Sequence, residues 1–228
     1  MNIRRTGSLN AVSPEPTSRV GQRLLLAAVV LILGACQTSG GHLELASLAN
    51  PQVKLAADFK QGCYAYEDIN HATVVLLIGS PEKPEQVLTI RPIWTPSAGH
   101  TPIAATASNA QFTYVIFPPG SPAAGSAAAT SHGEVGLYTG YGFLYPTDDL
   151  GDVTFSADIW DSTMELADKS PGFTDPLGKA TLRGNFSVAR DDLRARELVR
   201  KVSLALTQCL NYPRVVEGPG RQRPATAD

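Results

Sequence analysis

The chain has 228 residues, with 19 Lys and Arg against 21 Asp and Glu and a formal net charge of −2 at pH 7. This length allows one domain with a full hydrophobic core, even after a leader is removed. The composition lacks the basic excess that phosphate backbones attract, which argues against nucleic acid as a partner.

The first 35 residues have the three parts of a bacterial export signal. Four arginines and one glutamate make the segment positive, and Leu24–Leu33 is a run of ten residues without a polar side chain. This run is too short to span a bilayer, which takes about 20 apolar residues. A buried core helix is the alternative, but the run ends at small residues and a cysteine. The pair Arg4-Arg5 hints at twin-arginine export, but the hydrophobic residues expected after it are absent.

The run leads into Leu33-Gly34-Ala35-Cys36, which resembles the lipobox of bacterial lipoproteins. The resemblance implies that signal peptidase II cleaves between Ala35 and Cys36, and that the Cys36 sulfur carries a diacylglyceryl group. Two acyl chains suffice for stable anchoring. Gln37 rather than Asp follows the cysteine, which favours the outer membrane in a Gram-negative host. The expected location is therefore the cell envelope, with the lipid as the membrane partner.

Cleavage would divide the chain into a signal peptide (1–35), a lipidated tether (36–51), one β-rich domain (52–212) and a Pro/Gly-rich disordered tail (213–228). Removing the leader's four Arg and one Glu would leave 15 basic and 20 acidic residues, a net charge of −5. The mature protein then has no basic patch for anionic headgroups, so the lipid rather than charge would hold it to the membrane.

Apolar patterning predicts a mainly β or α+β fold. The apolar run Val74–Ile78 is typical of a strand buried on both faces. Alternation predicts half-buried strands at 153–159, with Val153 on the buried side, and at 181–188. The glycines of 135–145 indicate a bulge or a close backbone approach. We expect an antiparallel sandwich or a partly rolled sheet.

Residues 192–209 have apolar positions at i, i+3, i+4 and i+7, which predicts one amphipathic helix with Cys209 on its buried face. Alternation at Val202, Leu204 and Leu206 leaves a strand as the rival interpretation. In an oxidising compartment Cys63 and Cys209 are expected to form a disulfide, the alternative being two buried free thiols. The absence of CxxC and of Cys/His clusters argues against zinc, and no metal or other cofactor is expected.

The densest aromatic stretch contains Tyr138, Tyr141, Phe143 and Tyr145. Such side chains stack on sugars or anchor a partner, so they form the candidate binding face; filling a sheet core is the alternative. The acidic stretch offers Asp158, Asp161 and Glu165 as acid/base candidates, although carboxylates on a β-rich surface are usually solvated. The turn at 148–152 has the carboxylates but not the spacing of a calcium loop.

No catalytic constellation emerges, so a non-enzymatic binding or interaction module is the leading hypothesis, with an envelope protein as one candidate partner. A glycan hydrolase that uses the surface carboxylates is the first alternative, and it requires two carboxyls about 5–10 Å apart. A carrier of small apolar ligands is the second alternative, and it requires a cavity inside the sheet.

Overall fold

The computed structural model describes residues 39–68, 71–93, 108–118 and 133–216. The predicted signal peptide, the Ala35/Cys36 cleavage site and residues 217–228 lie outside this part, and all described residues belong to the unit Thr38–Asp228. The described elements are β1 (Gly40–Ser47), β2 (Lys54–Phe59), β3 (Gln61–Tyr66), β4 (Ala72–Gly79), β5 (Pro84–Pro92), β6 (Ala110–Ile116), β7 (Gly136–Pro146), β8 (Thr154–Lys169), β9 (Ala180–Arg190) and helix α1 (Asp192–Leu210).

The strands form one sheet that closes on itself. Their order is β2-β1-β9-β3-β4-β5-β6-β7-β8, and β8 pairs again with β9. One edge of β9 bonds to β8, while its other edge is shared by β1, along 180–187, and by β3, at 189–190. All pairings are antiparallel except that of β3 with β9. The predicted mainly β, antiparallel fold is confirmed, in its rolled form.

Closure gives the sheet a filled interior and an outer surface. Alternate residues of β4 illustrate the division: Val74 and Leu76 join the interior cluster, whereas Val75 and Leu77 join a second cluster under α1. This strand is therefore buried on both faces, as its continuous apolar run predicts. The interior is filled by large side chains, among them Tyr64, Tyr114, Tyr138, Phe112 and Phe155.

Helix α1 confirms the predicted periodicity and excludes the rival strand. The Asp191 side chain caps it by accepting from the backbone N–H of Arg194, and Asn211 ends it in the left-handed conformation with φ 61°. Its buried face covers the outer surface of β3 to β7. Its buried residues are the apolar positions of the predicted periodicity and, in addition, Leu210: Ala195, Leu198, Val199, Val202, Ala205, Leu206, Cys209 and Leu210.

Cys63 and Cys209 do not form the predicted disulfide. Both are buried free thiols. Cys63 lies beside the start of the helix, since its Cα pairs with Ala189. Cys209 lies 17 residues after Asp192 in the sequence, and a rise of 1.5 Å per residue places it about 25 Å along the helix. A disulfide needs Cα atoms within about 7 Å. Periodicity placed Cys209 on the correct face but carried no information on its distance from Cys63.

Both boundaries of the domain differ from the prediction. Strand β1 occupies Gly40–Ser47, inside the segment 36–51 that was predicted as a tether. Its alternating residues Leu43 and Leu45 are fully buried, which requires a place in the sheet. At the other end, part of the predicted tail packs back on the helix: Val216 is buried and its N–H donates to the Ser203 hydroxyl.

We expect the Cys63 and Cys209 thiols of the folded protein to resist a polar thiol reagent at pH 8. Burial raises the pKa of the Cys63 thiol to about 11 and also raises the pKa of Cys209, so neither is a thiolate at this pH. After denaturation without reductant, peptide mapping should find the reagent on both Cys63 and Cys209. Labelling of these two residues only after reduction would contradict the separation of the two cysteines.

Candidate binding face

Four aromatic side chains lie on the outer surface of β7 and β8 and are here called the aromatic platform: Tyr141, Phe143, Tyr145 and Trp160. Tyr141, Tyr145 and Trp160 are 55%, 39% and 59% exposed, and Phe143 is half-buried. The ring centroids of Phe143 and Tyr145 are 6.5 Å apart, and those of Tyr145 and Trp160 are 6.0 Å apart. Phe143, Tyr145 and Trp160 therefore form a row of neighbouring rings, and Tyr141 lies on the same outer surface.

Strand alternation directs these residues outward. In β7 the residues Tyr141, Phe143 and Tyr145 share one face, while Gly142 and Leu144 on the other face are buried. Tyr138 has the opposite parity, which corrects its predicted place on the binding face. It is fully buried in the interior, and its hydroxyl donates to the Asp175 carboxylate. Burial, followed by the neighbouring Asp175 charge, raises the pKa of Tyr138 well above its ordinary value.

A bulge in β8 directly follows Trp160, which is still in regular register opposite Phe143 of β7. Between Ile159 and Ser162, β8 advances three residues while β9 advances two, and the pairing with β7 shifts at the same point. Gly142 accommodates this bulge, because a Cβ there would overlap the Ser162 side chain and backbone. The glycine-rich pattern thus predicted a close approach that the structure confirms.

Asn109 holds the strand that carries the platform. This fully buried side chain donates from Nδ2 to the Leu144 carbonyl at 2.8 Å and accepts from the Leu144 N–H at 2.7 Å. Its backbone N–H also donates to the Gly142 carbonyl. Asn109 thereby continues the hydrogen-bond ladder just beyond the start of β6 and fixes β7 between Phe143 and Tyr145.

A polar row continues from the platform across the neighbouring strands. Tyr145 pairs with Asp158, Asp158 with Asn185, Asn185 with His42, and His42 with Asp58. His42 Nδ1 and Asp58 Oδ1 are 2.6 Å apart, and this hydrogen bond holds the pKa of Asp58 below its ordinary value. The platform therefore borders side chains that both donate and accept hydrogen bonds.

A shallow cleft of about 310 Å³ lies on the outer surface of β1, β2 and β9. Glu44, Lys54 and Arg183 contribute its charged lining, and Lys54 Nζ is 3.0 Å from Glu44 Oε1. Gly184 pairs with Ile159, so the neighbouring residues Arg183 of β9 and Trp160 of β8 lie close together on the two strands. The cleft thus adjoins the platform but is a separate, charged feature.

Asp158 and Glu165, two of the three acidic candidates, do not form a carboxyl pair. Asp158 and Glu165 are seven positions apart on β8, which corresponds to about 20 Å. A glycosidase pair requires about 5–10 Å. Glu165 Oε2 lies 3.8 Å from Lys179 Nζ. The side chain of Asp161, the third candidate, lies outside the described part of the structure.

Trp160 is the platform residue that sequence reasoning missed. The predicted alternation ended at Ile159, but its outward series Thr154, Ser156 and Asp158 leads directly to Trp160. Extending that series by one position identifies an outward aromatic side chain. Its contact with Tyr145 depends on the register of β7 and β8, which alternation within one strand does not specify.

No family model matches the chain, and no curated protein or solved structure is significantly similar to it. Within the described residues, no helix is long and apolar enough to cross a bilayer. The same part of the chain contains no group of three His, Cys, Asp or Glu side chains arranged to hold a metal ion.

We expect Asn109→Ala to destabilise the domain by about 2–4 kcal/mol, because it leaves the buried N–H and carbonyl of Leu144 without partners. Asn185→Ala is the matched control: this side chain is exposed, and its loss should change the unfolding free energy by less than about 0.5 kcal/mol. Urea unfolding of both variants makes the comparison. Equal stabilities of the two variants would mean that Asn109 does not hold β7.

Proposed function

We propose that the protein is a lipid-anchored binding module of the bacterial cell envelope, and that its aromatic platform holds a glycan chain by ring stacking. The observation that carries the proposal is the row of rings formed by Phe143, Tyr145 and Trp160, with centroid spacings of 6.5 and 6.0 Å on an exposed sheet surface. No element of the described chain packs over Trp160, which keeps more than half of its surface exposed.

The ring geometry favours a single, twisted chain as the ligand. The planes of Phe143 and Tyr145 are inclined by 39°, and those of Tyr145 and Trp160 by 66°. A flat crystalline polysaccharide surface cannot touch all three inclined rings. A flexible chain can turn one sugar onto each ring, and the ring spacing is comparable to that of neighbouring sugars. Apolar C–H faces of sugars stack on aromatic rings, as other apolar groups do.

Polar neighbours of the platform favour a hydroxyl-rich ligand over a protein. Asp158 supplies acceptors, and Asn185 supplies both a donor and acceptors for sugar hydroxyls. Protein interfaces need about 800 Å² on each partner and a surround that excludes water from the central hot spot. Beside Trp160 and Tyr145 the sheet surface is instead polar and solvated, with Asp158, Asn185 and the His42–Asp58 pair in one row.

The two alternatives have less support. The hydrolase would need a second carboxyl near Asp158, and Glu165 lies about 20 Å away along the strand. The carrier would need an empty interior, but interior positions of the closed sheet are occupied by fully buried aromatic and aliphatic side chains. A binding module requires neither a carboxyl pair nor a cavity.

The envelope location is supported by the lipobox-like Leu33-Gly34-Ala35-Cys36 after an apolar run. Lipid attached to Cys36 would concentrate the module at a membrane, where a weak stacking site becomes useful because the module and its glycan share one compartment. The anchor and the platform are separate parts of the proposal and fail independently.

Trp160→Ala should weaken binding of the lipidated protein to purified envelope polysaccharide about tenfold, because an exposed stacking ring contributes about 1–2 kcal/mol. Trp160→Phe should retain most of the affinity, since it keeps a ring. Leu204→Ala, which truncates an exposed apolar side chain on α1, is the matched control and should bind normally. Co-sedimentation with the insoluble polysaccharide measures all four proteins.

Equal binding by Trp160→Ala and the native protein would overturn the proposal. So would capture of an envelope protein through the platform with no affinity for polysaccharide, because that result would assign the rings to a protein interface.

A further inference from the structure

We infer that one rim of the closed sheet rests on the phospholipid headgroups, with Ile93, Val153 and Leu193 as its apolar contacts. This anchor rim is the end of the sheet where β3, β5, β7 and β9 finish and where β1, β4, β6 and β8 begin. The inference rests on the proposed lipidation of Cys36, and it adds the orientation of the domain and a surface that touches lipid.

The length of the connection carries the first part of the argument. Only Gln37 and Thr38 separate Cys36 from Ser39 in the sequence. Ser39 already contacts the sheet, because its Oγ accepts from the Ala189 N–H at 3.1 Å. Three residue steps of at most about 3.6 Å span about 11 Å. A lipidated Cys36 at the bilayer surface therefore keeps Ser39, at the end of β9 on the anchor rim, within about 11 Å of that surface.

Exposed aliphatic side chains gather on this rim. Leu193 is 81% exposed, Val153 is 79% exposed and Ile93 is 49% exposed. Single exposed apolar residues need no explanation. Here, however, two of them border the point where the chain enters the sheet: the Arg190 N–H donates to the Val153 carbonyl, and Leu193 follows Arg190 by three residues.

Val153 also departs from the sequence prediction in a way that this surface explains. Alternation placed it on the buried side of a strand with Phe155, Ala157 and Ile159. Strand β8 begins only at Thr154, and Val153 lies in the preceding turn with its side chain outside the core. Contact with acyl chains or headgroup carbons would remove the free-energy cost of exposing this aliphatic side chain to water.

Several charged side chains of the rim have partners on the rim itself. Asp191 caps the helix, Asp192 accepts from the Tyr66 N–H at 2.8 Å, and Glu67 lies 3.0 Å from Arg196. Asp148, Asp149 and Asp152 lie in the turn before Val153 and make this part of the described rim acidic. An acidic rim fits zwitterionic rather than anionic phospholipid. The acyl anchor, rather than charge, provides the attraction.

The proposed orientation of the domain also determines how far the aromatic platform lies from the membrane. Gly40 pairs with Ser187, whereas the row that ends at Tyr145 begins at His42, two residues further from the rim. Two residues correspond to about 7 Å. The platform thus lies on the side of the domain just above the membrane surface, open to a chain that runs along the bilayer.

The test uses the lipidated protein in phosphatidylcholine vesicles that contain quencher-labelled lipid. Leu193→Cys carries an environment-sensitive fluorophore, and Leu48→Cys, at the opposite rim with 53% exposure in the native residue, is the matched control. The native thiols stay unlabelled because they are buried with raised pKa values. We expect quenching at position 193 at least threefold stronger than at position 48. Val153→Cys repeats the test if the first variant does not fold.

Mass spectrometry of the same samples separates the two levels of the proposal. A mature protein without lipid on Cys36 overturns the proposed anchor and the rim inference together. A lipidated protein with equal quenching at positions 193 and 48 overturns the rim inference alone and leaves the anchor and the platform intact.

Discussion

Pairing of β8 with β9 closes the sheet, and the division of side chains between core and outer surface follows from this closure. Strand β9 is hydrogen-bonded along both edges, to β8 on one side and to β1 and β3 on the other. A closed sheet has an inner and an outer face, and successive residues of a strand point to opposite faces, so alternate side chains are buried in the interior or lie on the outer surface. Tyr138 and Tyr141 are three residues apart on β7, yet one fills the core and the other faces solvent.

Helix α1 then divides the outer surface into a covered and an open part. Its buried face reaches Leu137 on β7, whereas Tyr141, Phe143 and Tyr145 further along the same strand and face remain uncovered. The platform begins where the helix cover ends. The regular register of β8 with β7 adds Trp160 to these rings, and the bulge that Gly142 accommodates follows Trp160 directly.

Local periodicity predicted much of this fold. The two-sided burial of β4, the alternation of β9 and the apolar stripe of α1 each depend on residues within one element. Strand β1 was missed although Leu43 and Leu45 alternate with His42 and Glu44, because the preceding Thr-Ser-Gly-Gly segment resembles a tether. The disulfide and the Tyr145–Trp160 contact depend on distances and registers between elements, which no pattern within a single element encodes.

NMR mapping of the lipid-free mature domain with soluble fragments of envelope polysaccharide shows whether sugar rings stack on the aromatic platform. We expect the largest shift changes at the Trp160 indole and at the Tyr145 and Phe143 rings, with smaller changes at Asp158 and Asn185. Changes centred on α1 or on the cleft beside Glu44 and Lys54, or no changes at saturating fragment, would contradict this stacking.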